Sequence, residues 1–190
     1  VLGWIEDVLT TEKLVEEIED SATRISDLIA SVKTYSHMDR GTDKEAVELH
    51  KGLKSTVTML NHKSKQKQID IELIIPNDLP EFYGYVSELN QVWTNLLDNA
   101  IDAVDEGGRI EVEAKSKNGK LVLYFKDDGS GIPEDIQNKI FDPFFTTKDV
   151  GKGTGLGLDV VHKIIEKHGG EIDLNSKPGE TIFKLTFPLS

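Results

Sequence analysis

The sequence contains no cysteine. That excludes a disulfide framework and any thiolate metal site, and it fits a reducing compartment, so a cytoplasmic location is expected. No apolar run approaches the roughly 18 residues needed to span a bilayer, so no membrane segment is expected either. Basic residues are scarce: 22 Lys and Arg stand against 34 Asp and Glu, for a net charge of −12 at pH 7. Binding nucleic acid takes clustered Lys and Arg to neutralise phosphates, so a general nucleic-acid binder is excluded. The chain opens on Val1 without a signal-peptide pattern, and an excerpt of a longer protein is expected. Glycine and proline are absent between Trp4 and Arg40, which leaves nothing to interrupt a helix there.

What is present is a globular balance, with 190 residues, 37% of them hydrophobic and 29% charged. That length holds one domain and a smaller appendage, at about 100–200 residues per domain. From Leu14 the apolar residues follow a heptad. Leu14, Ser21, Leu28 and Tyr35 occupy one seam position, and Ile18, Ile25 and Val32 the other. This spacing predicts a long helix whose seam faces a partner helix. Asp39 to Asp43 breaks the pattern, so 1–42 is expected to be a partial helical region and 43–190 a separate domain.

Within 43–190 the signals alternate between strand and helix. A strand is expected over 46–49, then an amphipathic helix through Leu53, Val57 and Leu60. Residues 69–75 alternate and end at Pro76; 85–104 read as a long helix. Residues 109–116 and 120–127 flank Asn118-Gly119, the strongest short-range hairpin signal. The stretch 128–153 is glycine-rich and irregular, 154–168 is helical up to Gly169-Gly170, and 171–176 with 181–187 form a second strand pair. The fold class expected is α+β: a two-layer α/β sandwich, a mixed sheet with helices on one face, preceded by the long helix.

Three places carry chemistry. On the 85–104 helix, Asn95, Asn99 and Asp102 recur at i, i+4 and i+7 and share one face, opposite Leu89, Val92, Leu96 and Ala103. Polar residues on an exposed face need no explanation, but stacked carboxamides also offer neutral oxygens to a hard cation such as Mg²⁺. Second, Asp127-Asp128-Gly129-Ser130-Gly131-Ile132 follows a strand directly. It reads either as a tight turn or as a place where a planar ring approaches the backbone while a carboxylate accepts from an amine. Asp127, nearer the strand, is the better acceptor. Third, Phe141-Asp142-Pro143-Phe144-Phe145-Thr146-Thr147-Lys148 leads into Gly151-Lys152-Gly153-Thr154-Gly155-Leu156-Gly157 ahead of a helix. The phenylalanines suit packing. Backbone N–H groups at a helix start, with Lys148 and Lys152 nearby, make a phosphate site, and the glycine content suggests a lid. The P-loop and dinucleotide fingerprints are both missing.

In this order and spacing the elements resemble the N box, first glycine box, F box and second glycine box of the sensor histidine kinases. Those kinases belong to the wider ATPase superfamily of DNA gyrase B, MutL and Hsp90. The matching run extends from about Glu88 to Gly170, and Pro143-Phe-Phe-Thr-Thr-Lys148 separates the kinases from the other branches. Arg24-Ile25-Ser26 and Val32 to Ser36 resemble the second helix of the kinases' dimerisation and phosphoacceptor hairpin. The resemblance implies ATP and Mg²⁺ as ligands, with Asn99 the metal ligand and Asp127 the acceptor for the adenine amine. Asn95 and Lys148 would act at the transferring phosphate. Gly129, Gly131, Ile132 and Phe141 would shape the base site, and Thr147, Lys148, Gly151, Gly153, Thr154, Gly155, Leu156 and Gly157 would wrap the phosphates. It also implies a homodimer in the full-length protein, a histidine-bearing helix as phosphate acceptor and a response regulator receiver domain as partner. Asp102 stands where many kinases carry a basic residue, so a water-mediated contact to Mg²⁺ is expected of it.

The superfamily's hydrolases activate water with a Glu one turn before the metal-binding Asn; this chain has Asn95 there, and a carboxamide is no base at neutral pH. Transfer to a histidine is therefore expected over ATP hydrolysis, or over a nucleotide sensor without catalysis. None of the five histidines sits in an acceptor pattern, so the chain alone is expected not to phosphorylate itself and to dimerise weakly. His168 is expected to cap a helix C-terminus against its dipole.

Overall fold

A computed structural model describes residues 43–149 and 153–189, together with Thr11, Leu14, Val15 and Ile18, which are helical. The rest of the predicted heptad helix, and Gly151 and Lys152 of the glycine loop, lie outside the described residues. The elements run β1 (Glu45–Ala46), α1 (Leu49–Gln66), β2 (Asp70–Ile74), β3 (Tyr83–Gly84), α2 (Val86–Ala103), β4 (Arg109–Lys117), β5 (Lys120–Asp127), α3 (Gly157–Lys167), β6 (Glu171–Lys177) and β7 (Glu180–Pro188). Five strands form a mixed sheet in the order β2-β4-β5-β7-β6, in which β2 and β4 pair parallel and the other neighbours antiparallel. β1 and β3 make a separate two-stranded ribbon.

One face of the sheet is apolar and one is charged, as strand alternation requires. Ile110, Val112 and Ala114 of β4, Leu121, Leu123 and Phe125 of β5, and Phe183, Leu185 and Phe187 of β7 are all buried. They pair in rows, Val112 with Phe125 and Phe125 with Phe183, so a continuous apolar floor results. The opposite face carries Glu111, Glu113 and Lys126, joined by ion pairs. The helices cover the apolar face. Trp93 of α2, fully buried, stacks on Phe125 with ring centroids 5.8 Å apart. Each such side chain contributes about 1.5–3 kcal/mol by leaving water.

α2 is the central helix of the layer, with α1 and α3 against its sides. Its buried stripe is Leu89, Val92, Trp93, Leu96, Leu97, Ala100 and Ile101, at the three-to-four spacing of a helix face. Ala103 was expected in that stripe but is only half-buried; Ile101 and Val104 close the core instead. The C-terminus of α2 is capped by the residue that follows α1: Lys67 Nζ donates to the carbonyls of Ile101, Asp102 and Val104 at 2.8, 3.1 and 2.8 Å. An ammonium suits the negative end of the helix and satisfies carbonyls without intrahelical partners.

Two expected boundaries shift. The strand expected at 46–49 is Glu45–Ala46, and Leu49 already begins α1. The helix expected from 154 begins at Gly157, because Gly155 at φ 67° cannot be helical.

Candidate functional site

The site lies where the polar face of α2, the end of β5 and the loop before α3 meet. α2 brings Asn95, Asn99 and Asp102 to one half-buried face, as their spacing predicts. Asn95 Nδ2 donates to the carbonyl of Gly157 at 3.1 Å, which ties the middle of α2 to the first turn of α3. Lys148 reaches in from the loop. Its Nζ donates to Asn99 Oδ1 at 3.3 Å and pairs with Asp102 Oδ2 at 2.5 Å. Two oxygens from successive turns of α2 thus converge on one cation-sized point. The other oxygen of Asp102, expected to meet Mg²⁺ through water, pairs with Lys63 of α1 at 2.5 Å. Burial opposes ionisation of Asp102, yet the hydrogen bonds from Lys148 and Lys63 outweigh it and hold the carboxyl below its ordinary value.

Asp127 is the last residue of β5 and follows Leu121, Leu123 and Phe125 on the inward face. It lies in a row between Ile110 and Thr181, so a carboxyl is built into the apolar floor, 7% exposed. Burial pushes its carboxyl up to about 6; the N–H of Gly129 donating at 3.0 Å pulls the other way, and the neighbouring Asp128 adds to the rise. Only Oδ1 is hydrogen-bonded among the described residues, leaving Oδ2 for a ligand. Asp128 faces solvent and accepts from the N–H of Arg109 at 2.9 Å. The structure therefore separates the two carboxylates, with Asp127, the one nearer the strand, turned inward.

The glycines after Asp127 are needed by the protein itself. A Cβ on Gly129 would stand 2.6 Å from the carbonyl oxygen of Ala103 at the end of α2. Gly131 adopts φ 76°, and a Cβ there would stand 2.5 Å from the backbone of Lys177. The β6–β7 turn packs on this segment, with the N–H of Gly179 donating to Gly129 O at 2.9 Å and Ser176 Oγ accepting from the N–H of Ile132 at 2.8 Å. Phe141 packs on His162 and Phe183, at centroid distances of 5.5 and 6.5 Å, which is the packing role its sequence context allowed. Thr147 is exposed. Gly153 lies against Thr146 and Lys148, and Gly155 against the backbone of Phe144, so the F segment and the glycine loop fold onto each other. Thr154 Oγ1 accepts from the N–H of the buried Leu156, and Gly157 opens α3 beside Asn95. Lys63 and Lys67 were not singled out from the sequence. Their polar partners lie 34 to 39 positions away, and no local pattern announces them.

A buried carboxylate with a free oxygen, a row of carboxamides and a glycine loop, all at one end of an α/β sandwich, match an ATP site. A family model described as histidine kinase-, DNA gyrase B-, and HSP90-like ATPase matches residues 84–190. The chain belongs to that family. Sporulation kinase E of Bacillus subtilis (strain 168) is 39% identical over 139 residues, which is 72% of this chain and 19% of that kinase. The sensory histidine kinase/phosphatase NtrB of Azospirillum brasilense is 34% identical over 198 residues, or 93% of this chain and 47% of that protein. The chain thus spans less than half the length of either relative. The nucleotide-free catalytic domain of histidine kinase ThkA superposes with a TM-score of 0.70 at 31% identity, over 77% of this chain and 96% of that domain. The same kinase in complex with response regulator protein TrrA matches with a TM-score of 0.72 at 27% identity, over 89% of this chain and 49% of that one. Within the ATPase family this is an ATP-binding catalytic domain of the histidine kinase kind.

The remaining histidines of this kinase domain have other surroundings. His168 is buried, donates from Nδ1 to Ile164 O at 2.7 Å and accepts at Nε2 from the N–H of Tyr85 at 3.0 Å. It caps the end of α3 as expected, but burial lowers its pKa, so it does so as a neutral ring rather than as a cation against the dipole. Among the described residues no helix is long and apolar enough to cross a membrane.

Proposed function

We propose that this domain transfers the γ-phosphate of Mg-ATP to a histidine on a helix of the same kinase, within a homodimer of the full-length protein, and that a response regulator receiver domain collects the phosphate. The ThkA–TrrA complex supports the last step by likeness. Residues 1–42 are read as part of the dimerisation and phosphoacceptor hairpin and 43–190 as the catalytic domain.

The observation that carries the reading is the convergence at Asn99. Its Oδ1 and a carboxylate of Asp102 already hold a cationic ammonium, so the site suits a cation at that point. No group of three or more His, Asp or Glu gathers to hold a metal among the described residues. A hard ion such as Mg²⁺ would therefore take Asn99 from the protein and complete its shell with phosphate oxygens and water. When bound, it neutralises charge on the phosphates and aligns them. Asp127 accepts from the adenine amine through Oδ2. Gly129, Gly131, Ile132 and Phe141 fix the floor on which the base lies. Asn95 sits beside the triphosphate, and Thr147, Lys148 and the loop from Gly151 to Gly157 enclose it with N–H groups and charge. Because Asn95 cannot take a proton from water, the γ-phosphate waits for a histidine nucleophile.

None of the five histidines stands in the acceptor pattern, so none is proposed as the acceptor; of the four described, His50 and His62 are exposed on α1, and His162 and His168 lie on or at the end of α3 beside aromatic rings. Incubating the chain alone with γ-labelled ATP should leave it unlabelled. Stoichiometric, acid-labile label on it would show that the acceptor is one of its own histidines.

A further inference from the structure

Asp102 poses a problem for a triphosphate site. It sits one turn beyond Asn99 on the same face, and its carboxylate is satisfied partly by Lys148, the same lysine read above as a phosphate ligand. One ammonium cannot follow the phosphates and stay on Asp102 with equal strength. When Lys148 turns to a triphosphate, a carboxylate left alone a few ångströms from it would repel it.

Lys63 resolves the conflict. It stands on α1 and not on any of the four recognised boxes. Its Nζ reaches across to Asp102 Oδ1 at 2.5 Å, the oxygen of Asp102 that Lys148 does not use, and to Asp98 Oδ1 at 2.6 Å. About a third of each of the four side chains, Lys63, Asp98, Asp102 and Lys148, is exposed, so the network lies at the rim of the site, partly shielded from water. We propose that Lys63 is a positioning residue of the nucleotide site: it keeps Asp102 neutralised, and so leaves Lys148 free to engage the phosphates. Lys63 itself need not touch nucleotide. The inference rests on the ATP site described above.

The test is a double-mutant cycle on Lys63 and Asp102, read as affinity for Mg-ATP and, separately, for adenosine, with a thermal melt of each variant. Lys63→Met should weaken Mg-ATP by about tenfold, the effect of one uncompensated like charge in partly shielded surroundings. Adenosine, which has no phosphate, should bind the variant as it binds the parent chain, and Lys63→Arg should restore Mg-ATP affinity. In the Asp102→Asn background the same Lys63→Met change should cost no more than about twofold, because the carboxylate that Lys148 pairs with is gone and only Asp98 remains for Lys63 to offset. An equal loss in both backgrounds, or no loss in either, overturns the proposal, as does an equal loss for adenosine. Should Lys63→Met fail to fold, Lys63→Gln carries the same comparison. Failure of the unmodified chain to bind Mg-ATP would instead overturn the ATP-site reading itself.

Discussion

Replacing Asp127 by Asn should make the domain more stable while it loses its nucleotide. The folded chain holds the proton of Asp127 up to about pH 6, against 3.8 for an ordinary aspartate, because burial disfavours the charge. The contribution of this carboxyl to folding is therefore fully present below pH 3.8 and drains away as pH rises to 6. Above pH 6 the ionised, buried carboxylate costs roughly 3 kcal/mol, at 1.36 kcal/mol for each tenfold change in proton affinity. The substituted carboxamide would keep an oxygen for the N–H of Gly129 and remove the charge. Its new N–H₂ group, left beside Thr181 and Ile110, returns part of the gain. A net stabilisation of about 1–2 kcal/mol at pH 7 is expected, or roughly 2–8 °C in Tm for a domain of this size. Urea melts of both proteins at pH 7 and pH 4 measure it; the difference should shrink or reverse at pH 4, where the parent carboxyl is already protonated. ATP affinity should meanwhile fall ten- to a hundredfold, the loss of one charge-assisted hydrogen bond of about 1.5–3 kcal/mol. A variant that is less stable at pH 7, or equally stabilised at both pH values, would refute the argument from burial. Unchanged affinity would remove Asp127 from the base site.

Asn99→Ala should lose the Mg²⁺-dependent part of ATP affinity and keep the rest, which titrations with and without Mg²⁺ resolve. Lys67→Met strips three carbonyls at the end of α2 of their donor and should lower stability by about 1–3 kcal/mol in urea melts; an unchanged midpoint would show that water replaces the ammonium. His168 binds its proton less readily folded than unfolded, so its contribution is present above the ordinary histidine value of 6.5 and is lost as pH falls below it. Measured in the Asp127→Asn background, where the carboxyl no longer titrates, stability should decline below pH 6.5, and His168→Gln should flatten that decline.

Much of this architecture is legible locally. Asn118-Gly119 marks the β4–β5 hairpin, and both residues adopt positive φ, 53° and 72°. The i, i+4, i+7 row on α2 predicts a shared polar face, and of two adjacent aspartates the one nearer the strand is the one that turns inward. Other features depend on distant partners. β1 and β3 are two residues each, too short for alternation, and they exist only because Ala46 and Tyr83 bring them together across the whole of α1 and β2. The start of α3 is set by the backbone of Gly155 against Phe144, a contact that helix propensity does not encode. Gly129 and Gly131 read as room for a ligand, and they also admit the end of α2 and the β6–β7 turn. Lys63 and Lys67 are two of several lysines on or just after α1 until α2 is placed beside them.

The central claim is phosphoryl transfer to a histidine rather than to water. It is tested most directly by mixing this domain with γ-labelled Mg-ATP and the separately prepared phosphoacceptor hairpin of the full-length kinase, and counting hairpin-bound label and free phosphate in the same tube. Acid-labile label on the hairpin that exceeds released phosphate, and that vanishes with Asn99→Ala, is the predicted result. Steady release of phosphate with an unlabelled hairpin would contradict the account and make the domain an ATP hydrolase.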